Sequence, residues 1–207
     1  MYDALVFVYK YMEPEEVIDV VIKDLDYYKN SGGGLTISGG EPALQKEFIK
    51  AIYDQAKAYG IHNALDTAAN VPWEDIEYLL PSLDLVLLDL KVMDSDLHIK
   101  GTGIPNRRIL QNAVKLSQQN VDLIVRVPMV PGISASEENM RSTAEFLKNF
   151  PRLKYIELLP YHDLGVDKYT SLGYLAQEAV FEIPSRDEII HLSEAFMVFD
   201  IPVKVGY

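Results

Sequence analysis

Five short β-runs, each divided from the next by a stretch that reads as helix, constrain the fold of this chain more than any other feature. They are Leu35–Ser38, Asn63–Thr67, Asp84–Leu90, Asp122–Met129 and Lys154–Tyr161. Between them, Pro42 opens a helix to about Tyr59, with Leu44, Phe48 and Ile52 on its buried stripe and Gly60 at its C-terminal glycine position. A short helix follows over Trp73–Leu80, and Asn106–Ser117 is helical through Ile109, Ala113, Val114 and Leu116. The run Ser134-Ala135-Ser136-Glu137 offers a capping box for a helix reaching about Lys148. Toward the N-terminus, Ala4–Tyr9 reads as a strand or extended lead-in. A helix then spans Pro14 to about Lys29 through Val17, Val21, Leu25 and Tyr28, and Ser31-Gly32-Gly33-Gly34 ends it as turn chemistry. Toward the C-terminus, Asp163 to Pro184 reads as a loop region, Ser185-Arg186-Asp187-Glu188 caps a last helix to Phe199, and Pro202–Val205 forms a final strand.

Strands alternating with helices predict an α/β fold: a parallel sheet covered by helices. The run Asp84–Leu90 (DLVLLDL) predicts a strand buried on both faces. This spacing fits part of an α/β barrel as well as an open doubly wound sheet. In both, ligands gather at the C-terminal ends of the strands. Gly39–Glu41, Asp66-Thr67, Asp89, Arg126 and His162 all lie at or near such ends, which predicts one shared site. The 207 residues contain no internal repeat or low-complexity tract and read as one domain.

Charge and cysteine content narrow the chemistry. With 31 acids against 19 bases the net charge is −12, a field that repels phosphate backbones and anionic membranes, so nucleic acid and membrane are excluded as partners. A cationic or zwitterionic ligand is compatible with that field. No apolar stretch is long enough to cross a bilayer, and Met1–Leu5 lacks the basic start of a secretory signal, so the expected location is cytoplasmic. The chain has no cysteine, which removes disulfides, thiolate chemistry, cysteine zinc sites and ordinary iron–sulfur ligation.

The residues themselves point to a polar small molecule. Leu35–Ser38 ends in Gly39-Gly40-Glu41-Pro42, where bare glycine peptides and a carboxylate suit an ammonium group. The Lys and Ser/Thr of a phosphate loop are missing. Asp66 and Asp89, on neighbouring strands, form either an acid/base dyad or a cation holder, and Thr67 beside Asp66 leans toward oxygen coordination. Lys91 points to the same side as Asp89, to neutralise it or to bind a ligand carboxylate. Arg126, inside an apolar strand, requires a carboxylate partner from protein or ligand. His162 is read as a ligand contact. His62, His98 and His191 are not spaced as metal ligands and read as solvated or capping residues.

The runs SGGGLTISGGEPALQ, ALDTAANVPWEDIEYLL, LVLLDLKVMDSDLHIKGTG, RVPMVPGIS and IELLPYHDLGVDKY resemble, in order and spacing, the radical S-adenosylmethionine activating enzymes of glycyl-radical enzymes. This is the group that includes the pyruvate formate-lyase activating enzyme. The resemblance covers almost the whole chain and implies a partial (β/α) barrel with the cofactor across the strand C-terminal ends. It implies that Gly39, Gly40, Glu41 and Pro42 hold the methionyl amino group. Asp66, Thr67 and Asp89 then match a monovalent-cation site, Lys91 and Arg126 support the polar part of the cofactor, and His162 lies on its adenosine side.

The departures shape the expectation as much. The family carries a CxxxCxxC motif whose thiolates bind an iron–sulfur cluster, and this chain has none. In the family, an electron from that cluster cleaves the sulfonium, and the resulting 5′-deoxyadenosyl radical takes hydrogen from a glycine of the partner enzyme. The opening Tyr2–Leu5 resembles the stretch just after the cluster region, which implies a single truncated barrel domain over 1–207 that lacks its first strand and is inactive by itself. Ala69 stands where the family tends to have glycine, and Ser134-Ala135 where Asn-Asp is usual. The expected function is that of a fragment, or one half, of a glycyl-radical-enzyme activase. Two readings compete with it: a cluster-free pseudoenzyme that binds the cofactor or a partner protein, and an ordinary barrel enzyme using Asp66 and Asp89. Two consequences are expected. The sheet edge beside Leu35–Ser38 is covered by a second copy, by Ala4–Tyr9 or by another segment. S-adenosylmethionine binds weakly or undetectably, because the iron that chelates its amino and carboxylate groups is absent.

Overall fold

The computed structural model describes residues 10–161, 181 and 183–206. At its centre lies a six-stranded parallel sheet: β1 (Gly34–Ile37), β2 (His62–Thr67), β3 (Leu85–Asp89), β4 (Asp122–Met129), β5 (Leu153–Pro160) and β6 (Val203–Val205). They are hydrogen-bonded in sequence order. That order chooses between the two architectures. A doubly wound sheet reverses direction at a switch point and carries helices on both faces, whereas a sheet in which each strand adds on the same side is the barrel winding. Among the described residues β1 and β6 do not pair with each other, so the barrel is open.

The described helices are α1 (Pro14–Val21), α2 (Leu25–Ser31), α3 (Lys46–Ala58), α4 (Trp73–Leu79), α5 (Ser95–Thr102), α6 (Arg107–Ser117), α7 (Glu137–Leu147) and α8 (Arg186–Met197). Alternate residues of the middle strands, among them Leu65, Val86, Leu88, Leu123, Val125, Val127, Ile156 and Leu158, are fully buried. They form one core with Ile49 and Tyr53 of α3, Ile76 of α4, Leu116 of α6, Met140 of α7 and Phe196 of α8. The residues between them, Asp66, Leu85, Leu87, Asp89, Arg126, Tyr155 and Glu157, are half-buried on the opposite face. A smaller cluster of Ile18, Ile52, Ala56 and Ile61 fixes α1 on α3. The Tyr53 hydroxyl donates to the Ala64 carbonyl at 2.7 Å, and burial drives its pKa upward.

Several expectations need correction. Asp84–Leu90 is not buried on both faces: Val86 and Leu88 are, while Leu85, Leu87 and Asp89 line the open inner face. The helix expected from Pro14 to Lys29 is α1 and α2 joined by one 3₁₀ turn at Ile22–Asp24. The helix expected from Pro42 begins with a 3₁₀ turn, Pro42–Gln45, whose tighter winding rotates the helical phase. Leu44 is therefore 71% exposed, and Ile49, Ile52, Tyr53 and Ala56 make the buried stripe. Val114 faces solvent, Ser136 rather than Ser134 caps α7, and α5 was not anticipated. Gly34 is more than turn chemistry, since a Cβ there would collide with the His62 carbonyl as β1 pairs with β2.

Ala4–Tyr9 and most of the stretch from Asp163 to Pro184 lie outside the described residues. Among the described residues no strand pairs with the outer edge of β1, and no helix is long and apolar enough to cross a membrane.

Candidate functional site

Parallel winding brings the C-terminal ends of β1 to β4 side by side, and the predicted site residues among those described lie along them. Gly39 and Gly40 follow β1; Gly39 has φ 145, a conformation open to glycine, and a Cβ on either residue would meet nothing within 4 Å. Glu41 caps the 3₁₀ turn, with Pro42 buried behind it. Its carboxylate accepts from Thr67 Oγ1 at 2.6 Å, from the Ala68 amide at 3.2 Å and from the Ala43 amide at 3.4 Å. Glu41 thus ties the β1 loop to the end of β2, and this accounts for its acid.

Thr67 is buried, and its hydroxyl also accepts from the Ala69 amide at 2.8 Å. Asp66 sits on the inner face and accepts from Arg126 Nη1 at 2.7 Å, so Arg126 on β4 reaches past β3 to β2. Arg126 therefore has a protein carboxylate partner, as an arginine in an apolar strand requires. Asp89, the register partner of Arg126, pairs instead with Lys91 at 3.1 Å. Two buried polar atoms are left without hydrogen bonds here, Asp89 Oδ1 and Arg126 Nε. Arg126 Nε lies 3.4 Å from Glu157 Oε2, close enough for an ion pair but without hydrogen-bond geometry. His162 lies outside the described residues.

Residues that sequence reasoning missed hold these groups in place. Asn139, in the first turn of α7, donates to the carbonyls of Lys91 (3.2 Å) and Ser134 (2.9 Å) and accepts from the Met93 amide (2.9 Å). Asn106 donates to the carbonyls of Val92 and Met93, at 2.9 and 2.8 Å. Together they fix the loop carrying Lys91. Glu157 was also missed, although a charge inside the apolar run IELL is the same signal that singled out Arg126. His98 is neither solvated nor a cap: it is buried, with Nδ1 2.7 Å from the Ile104 carbonyl. His62 is exposed, and exposed His191 lies between Glu137 and Glu194.

The inner rim carries Asp66 and Asp89 against Lys91 and Arg126, two acids against two bases. This balance fits a zwitterionic group carrying both an ammonium and a carboxylate. An iron–sulfur cluster does not fit this chain, which has no cysteine, and among the described residues no three His, Asp or Glu side chains gather to hold a metal ion.

Comparison with known proteins agrees with the fold. The model of the Radical SAM superfamily matches residues 5–147. The chain is 38% identical over 173 residues to the (2S)-3-sulfopropanediol dehydratase activating enzyme of Klebsiella oxytoca, covering 83% of this chain and 55% of that protein. It is 37% identical over 199 residues to the pyruvate formate-lyase-activating enzyme of Staphylococcus epidermidis, covering 92% of this chain and 79% of that protein. A solved domain of pyruvate-formate lyase-activating enzyme from Bacteroides vulgatus superposes with a TM-score of 0.72 at 31% identity, covering 84% of this chain and 99% of that one. The chain spans only about half the length of the Klebsiella relative.

Proposed function

The chain belongs to the radical SAM superfamily, among the activating enzymes of glycyl-radical enzymes, and from that membership we propose that it supplies the S-adenosylmethionine cradle of such an activase without its redox centre. The observation that carries the reading is the convergence of Glu41, Asp66, Thr67, Asp89, Lys91 and Arg126 at the C-terminal ends of neighbouring parallel strands.

In this reading the backbone at Gly39 and Gly40, with Glu41 and Pro42 fixing their turn, receives the methionyl ammonium. Lys91 and Arg126 face the methionyl carboxylate, and His162 serves the adenosine side. Asp66, Thr67 and Asp89 hold a monovalent cation, with Asp89 Oδ1 as its unused acceptor. The cofactor supplies the sulfonium on which the family's hydrogen-abstraction chemistry depends. The protein's own contribution is to orient a zwitterion over a charge-balanced rim. The partner is a glycyl-radical enzyme acting as protein substrate, and the cluster-binding cysteines lie outside these 207 residues, on a segment or chain that pairs along the β1 edge. The absence of cysteine favours one further reading, a cluster-free module that binds cofactor or partner without catalysis.

Anaerobic incubation of the chain with iron, sulfide, reductant and S-adenosylmethionine tests the claim. The expected result is no 5′-deoxyadenosine above the protein-free background. Sustained 5′-deoxyadenosine release by this chain alone would contradict it. A glycyl-radical signal in a partner enzyme, appearing only when a cysteine-bearing companion is added, would favour the activase half over the cluster-free module.

A further inference from the structure

One transverse row of the inner face carries charge on four consecutive strands. Asp89 on β3, Arg126 on β4, Glu157 on β5 and Lys204 on β6 are successive register partners, alternating in sign. The side-chain pairing does not follow the register. Asp89 turns to Lys91, and the Lys204 ammonium lies 3.7 Å from the centre of the Tyr155 ring rather than on Glu157. Glu157 is left facing Arg126: its Oε2 lies 3.4 Å from Nε, while Nη1 donates to Asp66. Side-chain exposure is 24% for Arg126 and 28% for Glu157, so solvent screens this pair only in part. On the far side, Gly206 lies against the Leu159 side chain, which a Cβ would meet at 2.8 Å, and within ordinary contact distance of Glu157.

From this arrangement we infer that Glu157 is the positioning residue of Arg126. It holds the guanidinium by its Nε edge, so that the Nη edge is shared between Asp66 and the carboxylate of a bound zwitterion. The arrangement answers a difficulty in the site. Asp66 cannot serve a cation and neutralise Arg126 equally well, and an arginine released from Asp66 would otherwise be left in an apolar strand without a counter-charge. With Glu157 in place, Arg126 can exchange one Nη partner for another while its other edge stays paired. The inference rests on the cofactor reading for the identity of the zwitterion, but the contact between Glu157 and Arg126 does not.

The test uses Glu157→Gln, with Glu157→Asp as a charge-preserving control that also guards against loss of fold, and Asp66→Asn for comparison. Nitrogen-detected NMR follows exchange of the Arg126 Nε proton. Calorimetry or ligand-observed NMR follows S-adenosylhomocysteine, which keeps the amino-acid carboxylate, and methylthioadenosine, which lacks it. Glu157→Gln is expected to speed Nε proton exchange and to weaken S-adenosylhomocysteine about tenfold, the scale of one charge-assisted contact. Methylthioadenosine should be unaffected, and Glu157→Asp should restore much of the difference. Unchanged Nε exchange, or equal weakening of both nucleosides, would overturn the inference. Binding of neither nucleoside to the unmodified chain would defeat the cofactor reading, and the Nε exchange comparison would still decide whether Glu157 holds Arg126.

Discussion

Ala69 shows how one residue is held at the rim. It is fully buried with φ 54, a left-handed conformation that costs an alanine roughly 1–2 kcal/mol. Thr67 Oγ1 takes its amide, and Asn112 of α6 donates to the carbonyls of Ala69 and Val71 at 2.9 and 2.8 Å. These bonds over-determine the turn, so alanine stands where the family tends to have glycine. Ala69→Gly relieves the strain but removes a buried methyl and loosens the unfolded chain, terms of similar size. Urea unfolding should therefore show a change below about 1 kcal/mol. Asn112→Ala strands two buried carbonyls and should cost about 2–3 kcal/mol in the same assay. A near-neutral Asn112→Ala would mean the turn holds without it. Ala69 was legible as a departure from pattern. Asn112 was not, because its acceptor lies 43 positions away and only packing brings the two together.

Among the elements, legibility followed local signals. The α8 start was readable because Ser185 and Glu188 form a reciprocal cap, and Ser185→Ala should lower stability by about 1 kcal/mol. The midpoint of urea unfolding checks this. The α5 helix was not readable, because it has no apolar stripe: Leu97 and Ile99 are exposed while His98 is buried. It is set by the Asp94 cap, which accepts from the Leu97 amide at 2.8 Å, and by Gly103 at φ 80. At the start of β4, Asp122 pairs with Arg152 at 2.8 Å and Lys154 at 3.1 Å. The hydrogen bond from Lys154, followed by that from Arg152, holds its carboxyl below the usual carboxylate range. The folded state thus binds a proton there less readily than the unfolded chain. This contribution is complete above the ordinary carboxylate pKa and disappears as pH falls through the lowered value. These side chains are partly solvated, so Asp122→Asn should flatten the acid limb of the stability profile by less than about 1 kcal/mol. An unchanged limb would contradict this pairing.

At the scale of the whole molecule, sequential strand order turns four polar strand ends from separate residues into one rim. Alternation alone left two architectures open, because periodicity reports faces and not which strand lies beside which. The missing distinction is non-local pairing. The rim residues were readable one by one; what they do to one another was not, as with Glu41 occupied by Thr67 and Asp66 held by Arg126. The central claim is that this rim receives the zwitterionic end of S-adenosylmethionine, weakly, because no iron chelates it here. Titration of the isotope-labelled chain with S-adenosylmethionine, followed by amide shifts, tests it most directly. The account predicts saturable changes with a Kd on the order of 0.1–1 mM, centred on residues 39–41, 66–69, 89–91 and 126. Shifts that fail to saturate, or that gather instead in the groove between α7 and α8 near Arg141, His191 and Phe199, would contradict it.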